Sequence, residues 1–478
     1  MLAKAVGLIR MNGLIHCIRQ QAGSHRGCVI GNKISTETLS QQIPILSLEA
    51  GMTVQSLWAA TAQPAPALQS LEGERQCDVV IIGAGYTGLS AARHIADSGR
   101  EPLIVEANTL AWGASGRNGG VVSPKFRVGF PTLMARFGRD TALQMYRTGY
   151  AAVDSLVETV ETLGLSEANL HMGGHIAAAH NAHALRGLES TASWIKRETG
   201  GASSVMISAE QVRELTGSAI FSGGLLTPKA GGIHPLNYAR GMARHLTERG
   251  VKIFINSPAE RVVREGDRVI VQTPQGRVSA RQVIYATNGY SDQTRATDTL
   301  HRRLIPFRSA IIATEALSAD VLATLLPGGQ VCGDTKRMLR WFRVVGDRLI
   351  FGGRGAFGKG DSQSAFDDLQ RSMGVVFPIL RDQKIAYRWS GLVAMTLDYL
   401  PHAGQLDERS FYALGYNGGG VAMSTWMGKQ LSAMTAGEKV ELGLLAGEGF
   451  NPIALHAFRA PGVRLAAGWQ QFLDVIGR

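Results

Sequence analysis

One stretch constrains this chain more than any other: CDVVIIGAGYTGLSAARHIADSGREPLIVEA, Cys77 to Ala107. It reads as strand, glycine turn, helix, strand. Val79 to Ile82 is a short apolar run suited to a parallel strand buried on both faces. Gly83, Gly85 and Gly88 form G-x-G-x-x-G: the first allows a tight turn, the second lets a pyrophosphate approach the backbone, the third lets helix and strand pack closely. Leu89, Ala92, Ile95 and Ala96 then place an apolar stripe on the helix, which Gly99 ends. Leu103 to Val105 is a second strand. Glu106 stands at its carboxyl end, where a carboxylate can accept hydrogen bonds from the ribose hydroxyls of an adenosine. The unit predicts dinucleotide binding. A second match, Gly353, Gly355 and Gly358 in GGRGAFG, is followed by KGDSQS with no helix and no acidic strand end, so it reads as a turn.

The next motif narrows the choice of dinucleotide. LAWGASGRNGGVV, Leu110 to Val122, begins four residues past Glu106. A nicotinamide dehydrogenase would usually run on into another strand–helix unit. Here Gly113, Gly116, Gly119 and Gly120 argue against a helix or strand interior. Each glycine also adds backbone entropy that folding must remove. A backbone lying close against a large cofactor accounts for them, with Ser115, Arg117 and Asn118 within reach of it. Two later segments agree. VSARQVIYATNGYS holds a strand, Val283 to Tyr285, ending in Ala286-Thr287-Asn288-Gly289. FYALGYNGGGVAMSTWMG holds a strand, then Gly418, Gly419 and Gly420, then a helix beginning near Val421. That helix start would aim free N–H groups at an electron-rich group such as the pyrimidine edge of a flavin.

Composition excludes more than it assigns. The 478 residues suffice for two or three domains, and 45% hydrophobic with 18% charged residues is ordinary for a globular chain. No run of about eighteen apolar residues occurs, so no membrane span is predicted. The four cysteines, Cys17, Cys28, Cys77 and Cys332, lack a C-x-x-C pair, which fits a reducing, cytoplasmic compartment. The net charge of +11 comes largely from arginine spread along the chain, without the basic patch and interleaved aromatics of a nucleic-acid binder. His171, His175, His180 and His183 cluster, but their spacing is irregular and no cysteine or acidic partner accompanies them; no metal is expected. Asp398 and His402 lack a G-x-S-x-G elbow, which argues against a serine hydrolase. Residues 1 to 36 carry basic residues and no acidic ones, as a transit peptide does; a true start at Met52 is the other explanation.

Taken together, IGAGYTGLSAA, WGASGRNGG, GGIHPLNYARG, LIFGGRG, WSGLVAMTLDYLPHAG and YALGYNGGGVA resemble the flavin-dependent amine oxidases of the D-amino-acid oxidase superfamily. That family includes glycine and sarcosine oxidases, and the likeness is strongest to γ-glutamylputrescine oxidases. It extends from roughly Leu57 to Ala433, leaving the first 51 residues outside.

The resemblance implies an α/β fold: a Rossmann-like FAD-binding domain plus a substrate domain with a mixed, largely antiparallel sheet. The expected boundaries are 1–74 for a poorly ordered leader and linker, 75–125 with 225–300 and 386–436 for the FAD domain, 126–224 with 301–385 for the substrate domain, and 437–478 for a C-terminal segment. Periodicity adds helices over 132–165 and 182–198, and a hairpin turning at Gly346-Asp347.

Carried over residue by residue, the resemblance implies that Gly83, Gly85, Gly88 and Glu106 hold the adenosine diphosphate half of a non-covalent FAD. Ser115, Arg117, Asn118 and Gly119 would face the phosphates and ring, Ala259 the adenine, and Gly418, Gly419, Gly420 and Val421 the pyrimidine side. Cys332 lies before the hairpin and not after it, which argues against a covalent link of the kind known in the sarcosine branch.

The reaction so implied is hydride transfer from an amine to flavin N5, hydrolysis of the imine, and reoxidation by O2 to hydrogen peroxide. The partners would be a small-molecule amine and O2. A dehydrogenase passing electrons to a quinone or partner protein, and a flavoprotein binding module without turnover, are the alternatives. Arg117 is a candidate for electrostatic tuning of the ring, and Arg308 and Lys125 for positive charge near the oxygen site. On the hairpin, Arg340 and Phe342 face one way and Trp341 and Arg343 the other, so only one pair can face a cavity. An arginine there, Arg340, Arg343 or Arg354, would bind a carboxylate bidentately. Trp341, Trp389 and Tyr416 could box an alkylammonium, with core packing as the competing reading.

Overall fold

The computed structural model describes residues 56–456 apart from 202, 355–361, 449 and 455. The candidate start at Met52, most of the C-terminal segment, the glycines Gly355 and Gly358, and the Arg354 side chain lie outside the described residues.

Two eight-stranded sheets organise these residues. In the first, five strands run parallel in the order Ser410–Leu414, Gly276–Tyr285, Gly73–Ile82, Pro102–Val105, Lys252–Phe254. His402–Asp407 adds antiparallel at one edge, and Arg268–Gln272 and Arg261–Glu265 form a meander on Gly276–Tyr285. The continuous apolar runs are explained by burial on both faces. Val79, Ile81 and Ile104 pack into one core, and Val80, Ile82, Leu103 and Val105 into another. The helix Tyr86–Asp97 crosses the helix Gly420–Thr435 closely, since a Cβ on Gly428 would lie 2.5 Å from that of Ser90. Ser90 also donates to the Thr425 carbonyl at 2.6 Å.

The second sheet runs Ile385–Met395, Ile305–Thr314, Arg348–Arg354, Arg340–Val345, Val331–Asp334, His175–Ala178, Gly224–Thr227, Val205–Ile207. Every pairing is antiparallel except Val331–Asp334 with His175–Ala178. Phe342, Phe351 and Cys332 on one face pack against Phe366, Leu369 and Met373 of the helix Gln363–Val376. The fold is thus α/β with a second, mixed and largely antiparallel sheet. The hairpin turns where expected, with Val345 paired to Arg348 around Gly346 at φ 57°.

Two expectations need correction. The single helix over 132–165 is two helices, Phe130–Phe137 and Arg139–Thr162, because Gly138 adopts φ 88°, outside any right-handed helix. Poor order across residues 1–74 does not hold for 56–74. There Ser56 caps a short helix, Leu57–Thr61, Trp58 is wholly buried, and Leu71 is 1% exposed. Burying a tryptophan contributes roughly 3 kcal/mol, enough to hold so short a helix in place.

Candidate functional site

A cavity of about 710 Å³ begins at the glycine turn after Gly73–Ile82 and continues to the second sheet. At its first end the sequence dictates the geometry closely. Gly83 has φ 112° and donates its N–H to the Val105 carbonyl at 2.9 Å. A Cβ on Gly85 would lie 2.8 Å from Ser115 Oγ, and one on Gly88 would lie 2.0 Å from the Gly83 carbonyl oxygen. Ser115 Oγ accepts the Tyr86 N–H at 3.0 Å, so the two glycine-rich segments are tied together. Glu106 accepts from the Ala84 N–H at 2.8 Å and the Asn108 N–H at 3.0 Å. Burial pushes its carboxyl above the usual range, against the pull of these amides. Ala259, Ala286 and Thr287 line the same end.

These residues fit a dinucleotide carrying a second electron-rich group. The helix Tyr86–Asp97 starts at Gly85 and the helix Gly420–Thr435 at Gly419, and neither cap offers a side chain to the first-turn amides. Both starts line the one cavity, the second through Gly418 (φ 91°), Gly419, Gly420 and Val421. Two helix N-termini on one space, the first with only its Tyr86 amide taken by Ser115, suit a pyrophosphate at one and a polarised ring edge at the other.

Between them lies the Leu110–Val122 loop. Arg117 lines the cavity, donates Nε–H to the Trp112 carbonyl at 2.8 Å and places its guanidinium 4.7 Å from the Trp112 ring centroid. Asn118 is an internal brace. Its Nδ2 donates to the Ala114 and Ser115 carbonyls at 3.0 and 3.1 Å, and its Oδ1 accepts the Gly120 N–H at 2.7 Å. Gly119 faces Trp341: a Cβ there would lie 2.2 Å from the indole.

On the far side, Trp341 and Tyr416 line the cavity, and the Tyr416 hydroxyl shares a 2.6 Å hydrogen bond with Thr87. Lys125 Nζ lies 3.2 Å from His175 Nδ1. Burial lowers Lys125 to about 8, and burial with the lysine charge holds His175 well below the usual imidazole value. The histidine is therefore neutral and accepts from the lysine. Asp334 lines the same region, accepting the Lys336 and Arg340 amides at 3.2 and 3.0 Å, with burial raising its carboxyl to about 6. On its strand it pairs with Ala178, three positions along from His175.

Other candidates lie elsewhere. Of the two pairs on the hairpin strand, the Trp341 face meets the cavity, and Phe342 enters the core. Arg340 pairs with Asp368. Arg343 shares Trp341's face but is folded under the loop, 8% exposed, donating to the Gly119 and Ile233 carbonyls at 3.0 and 2.6 Å. Burial lowers it to about 10. Trp389, 2% exposed, donates Nε1–H to the Arg117 carbonyl at 2.9 Å and does not line the cavity. Arg308 donates to Ser390 Oγ at 2.7 Å, while its neighbours Phe307 and Ser309 line the cavity, as strand alternation requires. His175 alone of the four clustered histidines faces the cavity. Among the described residues no group of three or more His, Cys, Asp or Glu could hold a metal ion, and no helix is long and apolar enough to cross a membrane.

Sequence reasoning did not single out Asp334, nor His175 for any role beyond the metal question. Both lie on short strands whose pairing, Val331 with His175 through Asp334 with Ala178, joins segments far apart in the chain. Nothing local marks either as facing a site.

The pattern of the family described as FAD dependent oxidoreductase matches residues 78–434. A probable oxidoreductase OrdL of Haemophilus influenzae is 31% identical over 80% of this chain and 87% of its own. The gamma-glutamylputrescine oxidoreductase of Escherichia coli is 28% identical over 88% of this chain and 98% of its own. Among solved structures, glycine oxidase from Geobacillus kaustophilus superposes with a TM-score of 0.66 at 18% identity, covering 79% of this chain and 99% of that one. With the glycine turn, Glu106 and the two helix N-termini on one cavity, the chain belongs to the FAD dependent oxidoreductases, and FAD is its cofactor.

Proposed function

We propose that the chain oxidises the CH–N bond of a primary or secondary amine that also carries a charged tail, γ-glutamylputrescine or a related amino compound, with O2 as electron acceptor. The observation that carries this reading is the second half of the cavity. Beyond the FAD-binding end it presents Lys125, hydrogen-bonded to His175, with Asp334 elsewhere on the lining, three register positions along the neighbouring strand. A tail bearing a carboxylate matches the Lys125 cation, and an ammonium on the same tail matches a carboxylate elsewhere on the lining. The likeness to a gamma-glutamylputrescine oxidoreductase supports the same class.

Bound FAD supplies a two-electron acceptor. The chain's own part is placement. Trp341 and Tyr416 wall the space between the glycine-rich loop and the second sheet, and Lys125 and Asp334 set how far the tail can enter. The substrate nitrogen must be uncharged to release its electron pair. Loss of two electrons and two protons gives an imine. Water converts that to an aldehyde and a free amine, and O2 takes up both electrons and both protons as hydrogen peroxide.

The test is a visible spectrum of the full chain without oxygen, before and after γ-glutamylputrescine. The flavin band should bleach, and readmitting air should restore it with one peroxide per turnover. A band that bleaches and recovers only with an added quinone would replace O2 as the acceptor. A band unmoved by γ-glutamylputrescine would overturn the substrate assignment, and one unmoved by every amine would remove the amine class.

A pH dependence follows from Lys125. Its ammonium is present below about 8 and lost above it. A carboxylate-bearing substrate should therefore show KM rising as pH passes through about 8, while deprotonation of the reacting amine raises kcat over the same range. Lys125→Met should raise KM about ten-fold at neutral pH, the worth of one charge-assisted hydrogen bond, and flatten the alkaline rise. A KM profile identical to that of the unaltered chain would exclude this role.

A further inference from the structure

Three consecutive backbone carbonyls of the glycine-rich loop are each held by a side chain from a different part of the chain. The Arg117 oxygen accepts Trp389 Nε1–H at 2.9 Å, the Asn118 oxygen accepts Trp58 Nε1–H at 2.8 Å, and the Gly119 oxygen accepts Arg343 Nε–H at 3.0 Å. The donors come from the short helix Leu57–Thr61, the hairpin strand Arg340–Val345 and the strand Ile385–Met395. They also support one another. The Arg343 guanidinium lies 5.5 Å from the Trp58 ring centroid, and the Trp58 and Trp389 rings meet edge to face at 6.0 Å. Trp58 is fully buried, Trp389 is 2% and Arg343 8% exposed, and none of the three lines the cavity, whereas Arg117, Asn118 and Gly119 all do.

The arrangement has a consequence through peptide geometry. In a trans peptide the carbonyl of one residue and the N–H of the next point in opposite directions. Carbonyls drawn away from the cavity turn the following amides towards it. Of those amides, Asn118 donates to the Ala114 carbonyl at 3.1 Å and Gly120 to Asn118 Oδ1 at 2.7 Å. The Gly119 amide has no acceptor among the described residues. It is the donor left over, at the point where the loop passes Trp341.

We propose that Trp58, Trp389 and Arg343 are positioning residues of the flavin site, a clamp behind the loop that fixes the 117–119 peptides so that the Gly119 amide is presented to the isoalloxazine. Trp58 acts most directly, because the Asn118 carbonyl it holds shares its peptide with the Gly119 N–H, and a donor on that carbonyl strengthens the dipole; Arg343 fixes the peptide that follows. The segment around Trp58 precedes the residues matched by the family pattern, 78–434, so this chain completes its cofactor site with a piece from outside that span.

The test is Trp58→Phe in the full chain, which keeps a ring over Arg343 and against Trp389 but removes the N–H, with Trp389→Phe as a second variant. Three properties are read without substrate: the dissociation constant for FAD, the visible spectrum of the bound flavin, and its reduction potential. A lost hydrogen bond to a buried carbonyl should weaken FAD binding about ten-fold. The flavin spectrum and potential should shift in the same direction in both variants. The proposal fails if the variants lower the unfolding midpoint of the FAD-free chain yet leave spectrum, potential and dissociation constant at the values of the unaltered chain. It fails equally if neither variant folds, because the three side chains would then serve the fold and not the flavin.

Discussion

Replacing Gly119 with valine is expected to give a soluble chain that loses its flavin on desalting. A Cβ at this position would lie 2.2 Å from Trp341 Cη2 and 2.6 Å from Cζ2. The indole has little room to withdraw, because it already lies flush on Gly352, where a Cβ would come within 2.1 Å of Cζ2. Trp341 is thus wedged between two glycines, one on the loop and one on the hairpin. Valine forces either the indole into the space the flavin ring needs, or the loop back against its Arg343 contact. Overpacking of this kind costs about 3 kcal/mol, and charged against cofactor binding it lowers affinity about 100-fold. The core lies elsewhere, so the fold should survive. The checks are the ratio of visible to ultraviolet absorbance after gel filtration, and the circular dichroism of the same sample. Full flavin retention would mean that this loop does not lie against the ring.

That prediction rests on residues the sequence displays, and it shows where such reading works. The unit from Val79 to Glu106 was legible because each residue type answers a local demand. Apolar runs mark strands buried on both faces, and glycines mark a turn and a close crossing. A carboxylate at the strand end holds two turn amides. The start of the helix at Gly420 and the hairpin turn at Gly346 were legible for the same reason. A glycine with positive φ can also deceive: Gly138 interrupts an otherwise continuous helical pattern, and periodicity alone runs straight across it.

What was not legible is the partner of each polar side chain. Arg343 and Trp389 read naturally as a carboxylate binder and an aromatic wall, yet both are turned onto carbonyls of a loop more than two hundred residues earlier in the chain. Arg117 and Asn118 were read as reaching outward, and much of their hydrogen bonding is internal to the loop. The physical reason is common to all four. A loop so rich in glycine cannot hold its own shape, so the donors that fix it must come from rigid elements brought up by the tertiary fold. Trp58 illustrates the point most sharply: it falls in the stretch expected to be a poorly ordered leader and linker, yet its indole is buried and bonded to the Asn118 carbonyl.

The other large effect is expected at Gly88, and it separates steric demand from backbone freedom. A Cβ on Gly88 would lie 2.0 Å from the Gly83 carbonyl oxygen and 3.2 Å from Ile81 Cγ2. That oxygen cannot move aside. Gly83 is pinned by its own N–H bond to Val105 and has φ 112°, and any shift would disturb its neighbours in the central strands. Gly88→Ala should therefore push the helix Tyr86–Asp97 off the sheet, costing about 3 kcal/mol in unfolding free energy, with no flavin retained after desalting. Gly99, at the other end of the same helix, is the comparison. It has φ 78° but nothing within 4 Å of a Cβ, so alanine there pays only the left-handed conformation, about 1 kcal/mol, and the flavin stays. Urea midpoints of the FAD-free chains and the flavin absorbance of the loaded ones decide the matter. Equal losses in the two variants would mean that helix and strand do not approach as closely as the G-x-G-x-x-G spacing demands. A large loss at Gly88 alone would place the requirement for glycine in the contact itself.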